Sequence, residues 1–355
     1  MKIEASATVA ISNEAMSLRK QGIEVYDFSA GDLVLQNHPV IIDAIKDIKP
    51  FSPYSPVPGL PELREEAARI YNAKPSEVII TPGGKFALFA TFSALLNTGD
   101  KVIVEKPYWP SYPSIIELAR GTPLYIDSYN TPLPKAKALI FNNPNNPTGK
   151  IYDKKEVDPL LKWAEDNDSW IISDEVYSNL IFTDRPYYST PRNGRTVTIQ
   201  SLSKNYAMAG FRIGFIIAPE SLVKDILPII GQTVTTTSHI SQIAALAALK
   251  HSDIVLPYVK EAVAKRRALF IKKFEALFGP INPPEAAIYF FCPISKLGTN
   301  ETDDKVFCKE LIEKAHVALI PGTPLGKPGY VRFTFSAPEH EIEEGLNAIH
   351  KFVNS

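Results

Sequence analysis

The sequence predicts an α/β protein with a large domain, whose mainly parallel sheet is covered by helices, and a smaller α+β domain. Short strand-like runs alternate with helical patterns from about residue 78 onward, as in "DKVIVEKP" followed by "SYPSIIELARG". The strand-like runs are apolar throughout, which is typical of a sheet covered on both faces. A chain of 355 residues is also longer than one ordinary core requires.

The predicted elements follow one another in a regular order. Strands are predicted at "EVIITPGG", "DKVIVEKP", "AKALIFNNP", "SWIISDEVY", "TVTIQSLS" and "RIGFIIAP". Helices are predicted at "KFALFATFSALL", "SYPSIIELARG" and "EVDPLLKWAEDND". A long amphipathic helix, "SDIVLPYVKEAVAKRRALFIKKFEALFG", then opens a new grouping of strands and helices. We therefore expect residues 30–255 to form the large domain, and residues 1–29 and 256–355 to form the small domain together.

Composition excludes several classes of protein. The formal net charge is −1, which gives no support for nucleic acid or an anionic membrane as the main partner. Cys292 and Cys308 have neither metal nor redox spacing. The N-terminal stretch lacks the apolar core of a signal peptide, and no apolar run reaches the length of a membrane span. We expect a cytoplasmic protein that binds no metal and acts on small molecules.

The stretch "TPGGKFALFA" predicts a strand, a glycine turn and the start of a helix. Glycines allow close approach of a ligand to the backbone, and the free N–H groups of a helix N-terminus suit a phosphate. Gly84 and Lys85 are therefore candidates for binding a phosphate. A simple helix entry is the alternative interpretation, because the Walker pattern is absent.

Two further stretches end predicted strands with polar side chains. "FNNPNNPTGK", which contains Asn146, is rich in turn-forming residues and indicates either a plain loop or a ligand loop at the carboxyl end of a strand. In "IISDEVYSNL", Asp174 ends an apolar run, and Tyr177 follows three residues later. Asp174 is either a buried carboxylate that needs a cationic or donor partner, or a helix N-cap.

The stretch "SLSKNYAMAGFRIGF" combines Ser201, Lys204 and Arg212 between two apolar strands. Either both cations point to solvent or they face an anion. A lysine that loses its proton in a desolvated pocket is a nucleophile for Schiff-base chemistry, and an arginine with a hydroxyl suits a phosphate. One cofactor needs a Schiff-base lysine, a phosphate cradle and a carboxylate for a pyridine nitrogen, and that cofactor is pyridoxal 5'-phosphate.

The sequence resembles class I/II aminotransferases of the fold-type I pyridoxal-phosphate family, which include aspartate aminotransferases. The resemblance runs from "SATVAISNEAMSLRKQG" to "YVRFTFS", nearly the whole chain. Its most specific parts are "NNPNNPTG", "SDEVY" and "SLSKNYAMAGFRIG". "YSPVPGLPELREEAA", "PGGKFALFATF" and "EKPYWPSY" are also characteristic.

The resemblance implies roles around the cofactor ring. Lys204 is similar to the lysine that holds the cofactor as a Schiff base and then shuttles a proton. Asp174 is similar to the partner of the pyridine nitrogen, and Tyr177 and Asn146 to the donors to the phenolic oxygen. Trp109 resembles the aromatic residue that stacks on the ring, although a loop anchor is the plainer interpretation of "PYWPSY".

Other roles concern the phosphate, the substrate and a second subunit. The backbone N–H groups of Gly84 and Lys85, with Ser201 and Arg212, resemble the phosphate site. Tyr54 is similar to the tyrosine that reaches the phosphate of the neighbouring subunit's cofactor, which implies a homodimer. Arg332 resembles the arginine that binds the substrate α-carboxylate, and Gly31 and Asn146 are also expected at the substrate.

The sequence departs from the family pattern in two places. "TPLPKA" replaces a longer segment with a helix before Lys137, so part of the large domain is trimmed. In "PPEAAIYFF", Glu285 and Ala286 stand where glutamine and glycine are frequent. This stretch resembles a strand at the rim of the active site, so the choice of substrate is expected to differ.

The donor amino acid stays open between aspartate, an aromatic amino acid and others. Ser93 stands where some prokaryotic aspartate enzymes of this type have a lysine. Ser6 and Thr8 match polar residues near the substrate in that subgroup. The family implies an L-amino acid donor, 2-oxoglutarate as the acceptor and a ping-pong mechanism.

Other functions are compatible with parts of the pattern. A β-lyase, a decarboxylase or an amino-acid synthase would share these motifs. A regulator with a fused DNA-binding domain would need a basic N-terminal extension, whereas the aminotransferase pattern begins almost at residue 1. A nucleotide-binding oxidoreductase is poorly supported, because GxGxxG does not follow the first strand.

Overall fold

A computed structural model describes residues 7–46, 54–130 and 132–355 and confirms the α/β class. The helices are α1 (Ala7–Lys20), α2 (Pro39–Lys46), α3 (Pro61–Ile70), α4 (Gly84–Leu95), α5 (Ser111–Leu118), α6 (Lys154–Asp166), α7 (Leu202–Asn205), α8 (Glu220–Thr233), α9 (His239–Lys250), α10 (Ser252–Phe278), α11 (Asp304–Ala315) and α12 (Glu339–Val353). The strands are β1 (Tyr26–Asp27), β2 (Val78–Thr81), β3 (Lys101–Glu105), β4 (Thr122–Ile126), β5 (Ala138–Asn142), β6 (Trp170–Asp174), β7 (Thr196–Ser201), β8 (Gly214–Ile217), β9 (Tyr289–Pro293), β10 (Val317–Ala318), β11 (Ile320–Pro321) and β12 (Tyr330–Thr334).

The central sheet has the strand order β2-β8-β7-β6-β5-β3-β4. Its strands are parallel except β8, which is antiparallel to both β2 and β7. The connection from β7 to β8, residues 202–213, contains no long crossover helix, so the chain must turn back at the end of β7. This reversal holds Lys204 and Arg212 at the edge of the sheet where the parallel strands end.

The apolar runs of the central strands are explained by burial on both faces. In β2, Val78 and Ile80 pack into one hydrophobic cluster, while Ile79 packs into another on the opposite face. Each of these side chains is fully buried, and burying one stabilises the fold by about 2 kcal/mol. The strands are therefore rigid supports for the residues at their carboxyl ends.

A second, smaller sheet has the order β11-β12-β9 and is antiparallel. The long predicted helix is confirmed as α10, which packs against α12. Near the N-terminus, β1 pairs in parallel with β10, so Tyr26 lies beside Val317. The division into residues 30–255 and the remainder stays a prediction, and its boundary falls inside α10.

Several helices lie where the sequence reading assigned none, namely α1, α2, α3, α8 and α9. Among residues 7–46, 54–130 and 132–355, no helix is both long enough and apolar enough to cross a membrane. In the same ranges, His, Cys, Asp and Glu side chains form no group of three that could hold a metal ion.

Candidate active site

A cleft of about 250 Å³ opens where the parallel strands of the central sheet end. The predicted site residues that line it are Gly31, Gly84, Lys85, Trp109, Asn146, Asp174, Tyr177, Ser201, Lys204, Arg212 and Arg332. The strand ends explain why residues so far apart in sequence meet. Asn142 at the end of β5 lies opposite Asp174 at the end of β6, and Ser201 ends the next strand.

Asp174 is a buried carboxylate at the floor of the cleft, with 4% of its surface exposed. It ends β6 and is followed by a turn, so the helix N-cap interpretation is wrong. The Tyr112 hydroxyl donates to its Oδ2 at 2.6 Å. Burial raises the pKa of Asp174 to about 6, while the hydrogen bond from Tyr112 acts in the opposite direction. A cation beside this carboxylate would restore its usual pKa.

The start of α4 forms a cradle at one end of the cleft. Gly83 has φ +94°, and a Cβ atom there would lie 2.6 Å from Nη2 of Arg212. A Cβ atom on Gly214 would lie 2.5 Å from the backbone carbonyl carbon of Gly83. The two glycines therefore let the helix N-terminus, β8 and the arginine come together. Free N–H groups, a positive helix end and a guanidinium make a site suited to a phosphate.

Ser201 and Lys204 occupy the tight turn after β7. The Ser201 side chain caps the short helix α7 by accepting from the backbone N–H of Ser203, and it donates to the carbonyl of Ile213. Lys204 is half-buried, and its Nζ donates to the carbonyl oxygen of Gly31. The lysine thus points into the cleft, toward a neutral backbone group.

Arg332 is a buried guanidinium on β12, with 2% of its surface exposed. It donates to Oδ1 of Asn146 at 3.2 Å and to the carbonyl of Ser29 at 2.9 Å. Its Nε has no hydrogen-bond partner, and within the described residues no Asp or Glu forms an ion pair with it. A buried cation with only neutral partners is suited to binding an anionic ligand.

Tyrosine hydroxyls meet between the two sheets. The hydroxyl of Tyr177 lies 3.0 Å from that of Tyr289 on β9. Burial raises the pKa of Tyr177 well above its usual range, so it stays protonated and can donate a hydrogen bond. Asn146 is held close by, because its backbone N–H donates to Oδ1 of Asn142 at 2.7 Å.

Lys85 and Trp109 lie together at the rim of the cleft. The Lys85 Nζ lies 5.0 Å from the centre of the Trp109 ring, and Trp109 packs edge-on against Tyr112. Partial burial, with a contribution from Arg212, lowers the pKa of Lys85. No ion pair forms between Lys85 and an acidic side chain of the described part of the chain.

One predicted residue lies apart from the cleft of its own chain. Tyr54 is 86% exposed and does not line the cavity. The next residue, Ser55, is anchored by a contact of 3.1 Å between its hydroxyl and Nδ1 of His239 on α9. Tyr54 therefore projects from a fixed segment of backbone into solvent.

Two residues connected with the choice of substrate, Ser93 and Glu285, fall outside the cavity lining. Ser93 is half-buried on α4. Ser6 lies outside the described residues, and so does the side chain of Thr8. Glu285 forms an ion pair at 2.9 Å with Arg185 and accepts from the backbone N–H of Ile151, which ties segments at the rim together.

The shortened segment between β4 and β5 contains no helix in its described residues, 127–130 and 132–137. Tyr129 covers the sheet there, since its ring packs against Phe141 and Tyr152. Its hydroxyl donates to the carbonyl oxygen of Ile140. An aromatic side chain thus shields the end of the sheet in this segment.

Sequence reasoning missed some residues of the cleft, which are Leu88, Tyr112, Asn142, Val176, Ser203 and Tyr289. Tyr112 lies in the quoted stretch "EKPYWPSY", three residues after Trp109. This spacing on a helix start was the available signal, but aromatic residues at such spacing more often pack into a core. The stretch "AAIYFF", which contains Tyr289, indicated only an ordinary apolar strand.

Comparison with known proteins agrees with this geometry. The family model described as "Aminotransferase class I and II" matches residues 23–349. The aspartate aminotransferase of Thermotoga maritima is 32% identical, over 100% of this chain and 98% of the relative. The aspartate/prephenate aminotransferase of Thermus thermophilus is 31% identical, over 96% of this chain and 94% of the relative. A solved structure of Thermus thermophilus aspartate aminotransferase with maleate superposes with a TM-score of 0.92 at 31% identity, covering 98% of this chain and 97% of that one.

The fold and the cleft define a fold-type I enzyme that uses pyridoxal phosphate. The chain belongs to the class I and II aminotransferase family. It is thus a pyridoxal-phosphate-dependent transaminase, as the sequence motifs indicated. The family assignment favours transamination over the β-lyase, decarboxylase and synthase alternatives.

Proposed function

We propose that the enzyme transfers the amino group of an L-amino acid, aspartate first of all, to a 2-oxo acid by a ping-pong mechanism. 2-Oxoglutarate is the expected acceptor. One observation carries the proposal: Lys204, Asp174 and Arg332 face the same cleft, and Arg332 lacks an anionic partner among the described residues. An amine, a buried acid and an unpaired guanidinium are the groups that amino-group transfer requires.

The residues present fit pyridoxal phosphate. Lys204 would hold it covalently through Nζ, and the buried carboxylate of Asp174 would keep its pyridine nitrogen protonated. The backbone N–H groups of Gly84 and Lys85, with Ser201 and Arg212, would bind its phosphate. When bound, the cofactor supplies an electron sink that stabilises negative charge at the substrate Cα.

The protein's own residues bind the substrate and move its proton. Arg332 would bind the α-carboxylate in a bidentate pair, which fixes the direction of the Cα–H bond. When it is not linked to the cofactor, the Lys204 amine would take the proton from the substrate Cα. It would then donate that proton to the cofactor carbon to which the lysine is otherwise linked. The carbonyl oxygen of Gly31, which accepts from Nζ, holds that amine in the cleft.

Three further side chains would orient the cofactor. Tyr177 and Asn146 would donate to its phenolic oxygen. Trp109, on the wall of the cleft, would stack on its ring. Each of these contacts would stabilise the charge distribution that proton transfer needs and would limit access of water.

Aspartate is favoured over aromatic donors for two reasons. The relatives described above carry names that include aspartate. In addition, Lys85 presents an ammonium group at the rim of the cleft that forms no ion pair with an acid among the described residues, and a second carboxylate of a substrate could bind there. This lysine would replace the one that is absent at Ser93.

We also propose a homodimer in which Tyr54 reaches the phosphate of the neighbouring site. The exposure of Tyr54 supports this, because an aromatic side chain 86% exposed on an anchored segment is available to a partner. Residues 30–255 would form the cofactor-binding domain, and residues 1–29 and 256–355 the domain that carries Arg332.

An absorbance titration tests the proposed function. The protein loaded with pyridoxal phosphate is mixed with single amino acids, and the loss of the visible band of the lysine-linked cofactor is followed. We expect aspartate and glutamate to convert the cofactor to its aminated form at far lower concentrations than alanine or phenylalanine. Conversion by aromatic amino acids alone would refute the dicarboxylate proposal, and conversion by none would refute transamination here.

Replacing Arg332 tests the carboxylate site. We expect Arg332→Ala to raise KM for every amino-acid donor by roughly 10- to 100-fold, because a bidentate ion pair is lost. Arg192→Ala is the matched control, since Arg192 pairs with Glu77 away from the cleft. Steady-state kinetics measure both variants. An unchanged KM in Arg332→Ala would remove this residue from the carboxylate role.

A further inference from the structure

Tyr289 contacts both Tyr177 and Arg332 in the cleft, although it belongs to none of the sequence motifs that predicted the site. It begins β9 of the small sheet and is 1% exposed. Its hydroxyl reaches Tyr177, which follows β6 of the central sheet, at 3.0 Å. Its ring lies under the Arg332 guanidinium, with 4.2 Å between the guanidinium carbon and the ring centre. One side chain therefore touches both the proposed phenolic-oxygen donor and the proposed carboxylate site.

The sheet register explains this double contact. Arg332 lies opposite Phe291 in the antiparallel pair of β12 and β9. Tyr289 precedes Phe291 by two residues, so it shares a face with Arg332 as a diagonal neighbour. The rings of Tyr289 and Tyr177 then meet edge to face across the gap between the sheets, 5.8 Å apart. Strand pairing and ring packing together fix the position of the Tyr289 hydroxyl.

The number of protons available decides which of the two tyrosine hydroxyls donates to the other. A phenol carries one O–H donor and can also accept. If Tyr177 donates its proton to the cofactor's phenolic oxygen, then the contact with Tyr289 requires Tyr289 to donate to the oxygen of Tyr177. A hydrogen bond received at its oxygen makes Tyr177 a stronger donor, because chains of hydrogen bonds polarise one another.

Gly31 leaves room for this arrangement. A Cβ atom on Gly31 would lie 3.3 Å from the Tyr289 hydroxyl and 3.9 Å from Nζ of Lys204. The Tyr289 hydroxyl therefore lies close to the backbone that holds the lysine. The other titratable groups that line the cleft are Lys85, Tyr112, Asp174, Tyr177, Lys204, Arg212 and Arg332.

We propose that Tyr289 is a positioning residue whose hydroxyl strengthens donation from Tyr177 to the cofactor and whose ring holds the plane of Arg332. The inference rests on the proposed function, since it presupposes the cofactor on Lys204. It predicts separate effects for the hydroxyl and the ring. Losing the hydroxyl changes the protonation of the lysine–cofactor linkage, and losing the ring changes the binding of the substrate carboxylate.

The test is a spectroscopic pH titration of the cofactor-loaded protein. In Tyr289→Phe, weaker donation from Tyr177 leaves more negative charge on the phenolic oxygen, which holds the proton of the linkage more tightly. We expect the pKa of the linkage to rise by about 0.5 to 1 unit, less than in Tyr177→Phe. In a Tyr177→Phe background, the added Tyr289→Phe change should have no further effect.

Controls separate this inference from the proposed function. Tyr187→Phe removes a buried hydroxyl that donates to Glu175 outside the cleft, and it should leave the linkage pKa unchanged. An unchanged pKa in Tyr289→Phe, or equal shifts in the single and double backgrounds, would overturn the inference. Absence of a lysine-linked band in the wild-type protein would overturn the proposed function itself.

The ring is tested by kinetics. Tyr289→Phe keeps the ring, so we expect KM for amino acids to change less than two-fold. Tyr289→Leu removes it, and KM should rise at least five-fold for all donors, because the Arg332 plane loses its support. Equal KM values in the Phe and Leu variants would refute the role of the ring. If the Leu variant does not fold, the titration of the Phe variant still decides the role of the hydroxyl.

Discussion

Two neighbouring carboxylates at the end of β6 face different regions of the molecule. Asp174 faces the cleft and accepts two hydrogen bonds, from the hydroxyl of Tyr112 at 2.6 Å and from the backbone N–H of Val176 at 3.4 Å. Glu175 faces the rear of the sheet and accepts four hydrogen bonds, from the hydroxyls of Ser173, Tyr187 and Ser189 and from the backbone N–H of Thr190. Burial raises the pKa of both groups.

The difference shows what distinguishes a functional buried acid from a structural one. Glu175 is fully satisfied by its own chain, so it ties the loop around residue 189 to the strand. Asp174 is left with unused acceptor capacity that faces a cavity, and a cationic ligand can fill it. Burial alone, or a raised pKa alone, would not separate the two residues.

Exchanging each acid for its amide should produce the largest contrast. We expect Asp174→Asn to lower kcat by about 1,000-fold or more, because a neutral amide cannot hold the pyridine nitrogen protonated. Glu175→Gln should change kcat only a few-fold but lower the free energy of unfolding by about 1–3 kcal/mol, since one of its donors loses its acceptor. Steady-state kinetics and urea unfolding measure the pair. Equal losses of kcat would contradict the comparison.

The pH dependence of stability should sharpen the same comparison. In the cofactor-free protein, the pKa of Asp174 is raised from its usual value near 3.8 to about 6. The folded state then holds this proton more tightly than the unfolded state, so the contribution of Asp174 is present below pH 4 and is lost as pH rises through 6. Two pKa units correspond to about 3 kcal/mol.

The amide of the Asp174→Asn variant does not titrate. We therefore expect the free energy of unfolding of the cofactor-free variant, relative to the wild type, to increase by about 3 kcal/mol as the pH rises from 4 to 7. The cofactor should remove most of this difference, because its pyridine cation favours the charged carboxylate. Urea unfolding at several pH values, with and without pyridoxal phosphate, measures both effects. A pH-independent difference between the variant and the wild type would show that Asp174 titrates normally.

The two tyrosines that donate hydrogen bonds to these acids should also differ in their effect on cofactor affinity, but by less. Tyr112 donates to Asp174, and Tyr187 donates to Glu175. We expect Tyr112→Phe to weaken cofactor binding by roughly 10-fold, since a hydrogen bond to a charged group is worth about 1.5–3 kcal/mol. Tyr187→Phe should change cofactor affinity less than two-fold, because three donors to Glu175 remain. Absorbance titration with pyridoxal phosphate measures both affinities. Equal cofactor affinities in the two variants would show that Tyr112 does not support cofactor binding through Asp174.

Much of the fold could be predicted from the central strands. Runs such as "VIIT" are apolar at every position, and this pattern belongs to a sheet covered on both faces. The antiparallel direction of β8 was not predicted, because an apolar strand carries no signal of its direction. The helices α8 and α9 were not predicted either. Although α8 is amphipathic, it contains Pro228, and a proline normally marks the end of a helix.

The site was predicted where chemistry and strand ends coincide. Lys204 and Arg212 stand out because charges are rare between buried strands. Within "SDEVY", strand alternation places residues 174 and 175 on opposite faces, but it does not say which face holds the cleft. Tyr289 could not be recognised, since its partner Tyr177 lies 112 residues away in the sequence. Contacts of this kind are created only when the two sheets meet.

The central claim is that Lys204 carries the cofactor. The most direct measurement is borohydride reduction of the protein loaded with pyridoxal phosphate, followed by digestion and mass spectrometry of the peptides. We predict a cofactor adduct on the peptide that contains Lys204, its loss in Lys204→Ala, and its retention in Lys85→Ala, which changes the other lysine of the cleft. An adduct that persists in Lys204→Ala, or one found on Lys85, would contradict the account.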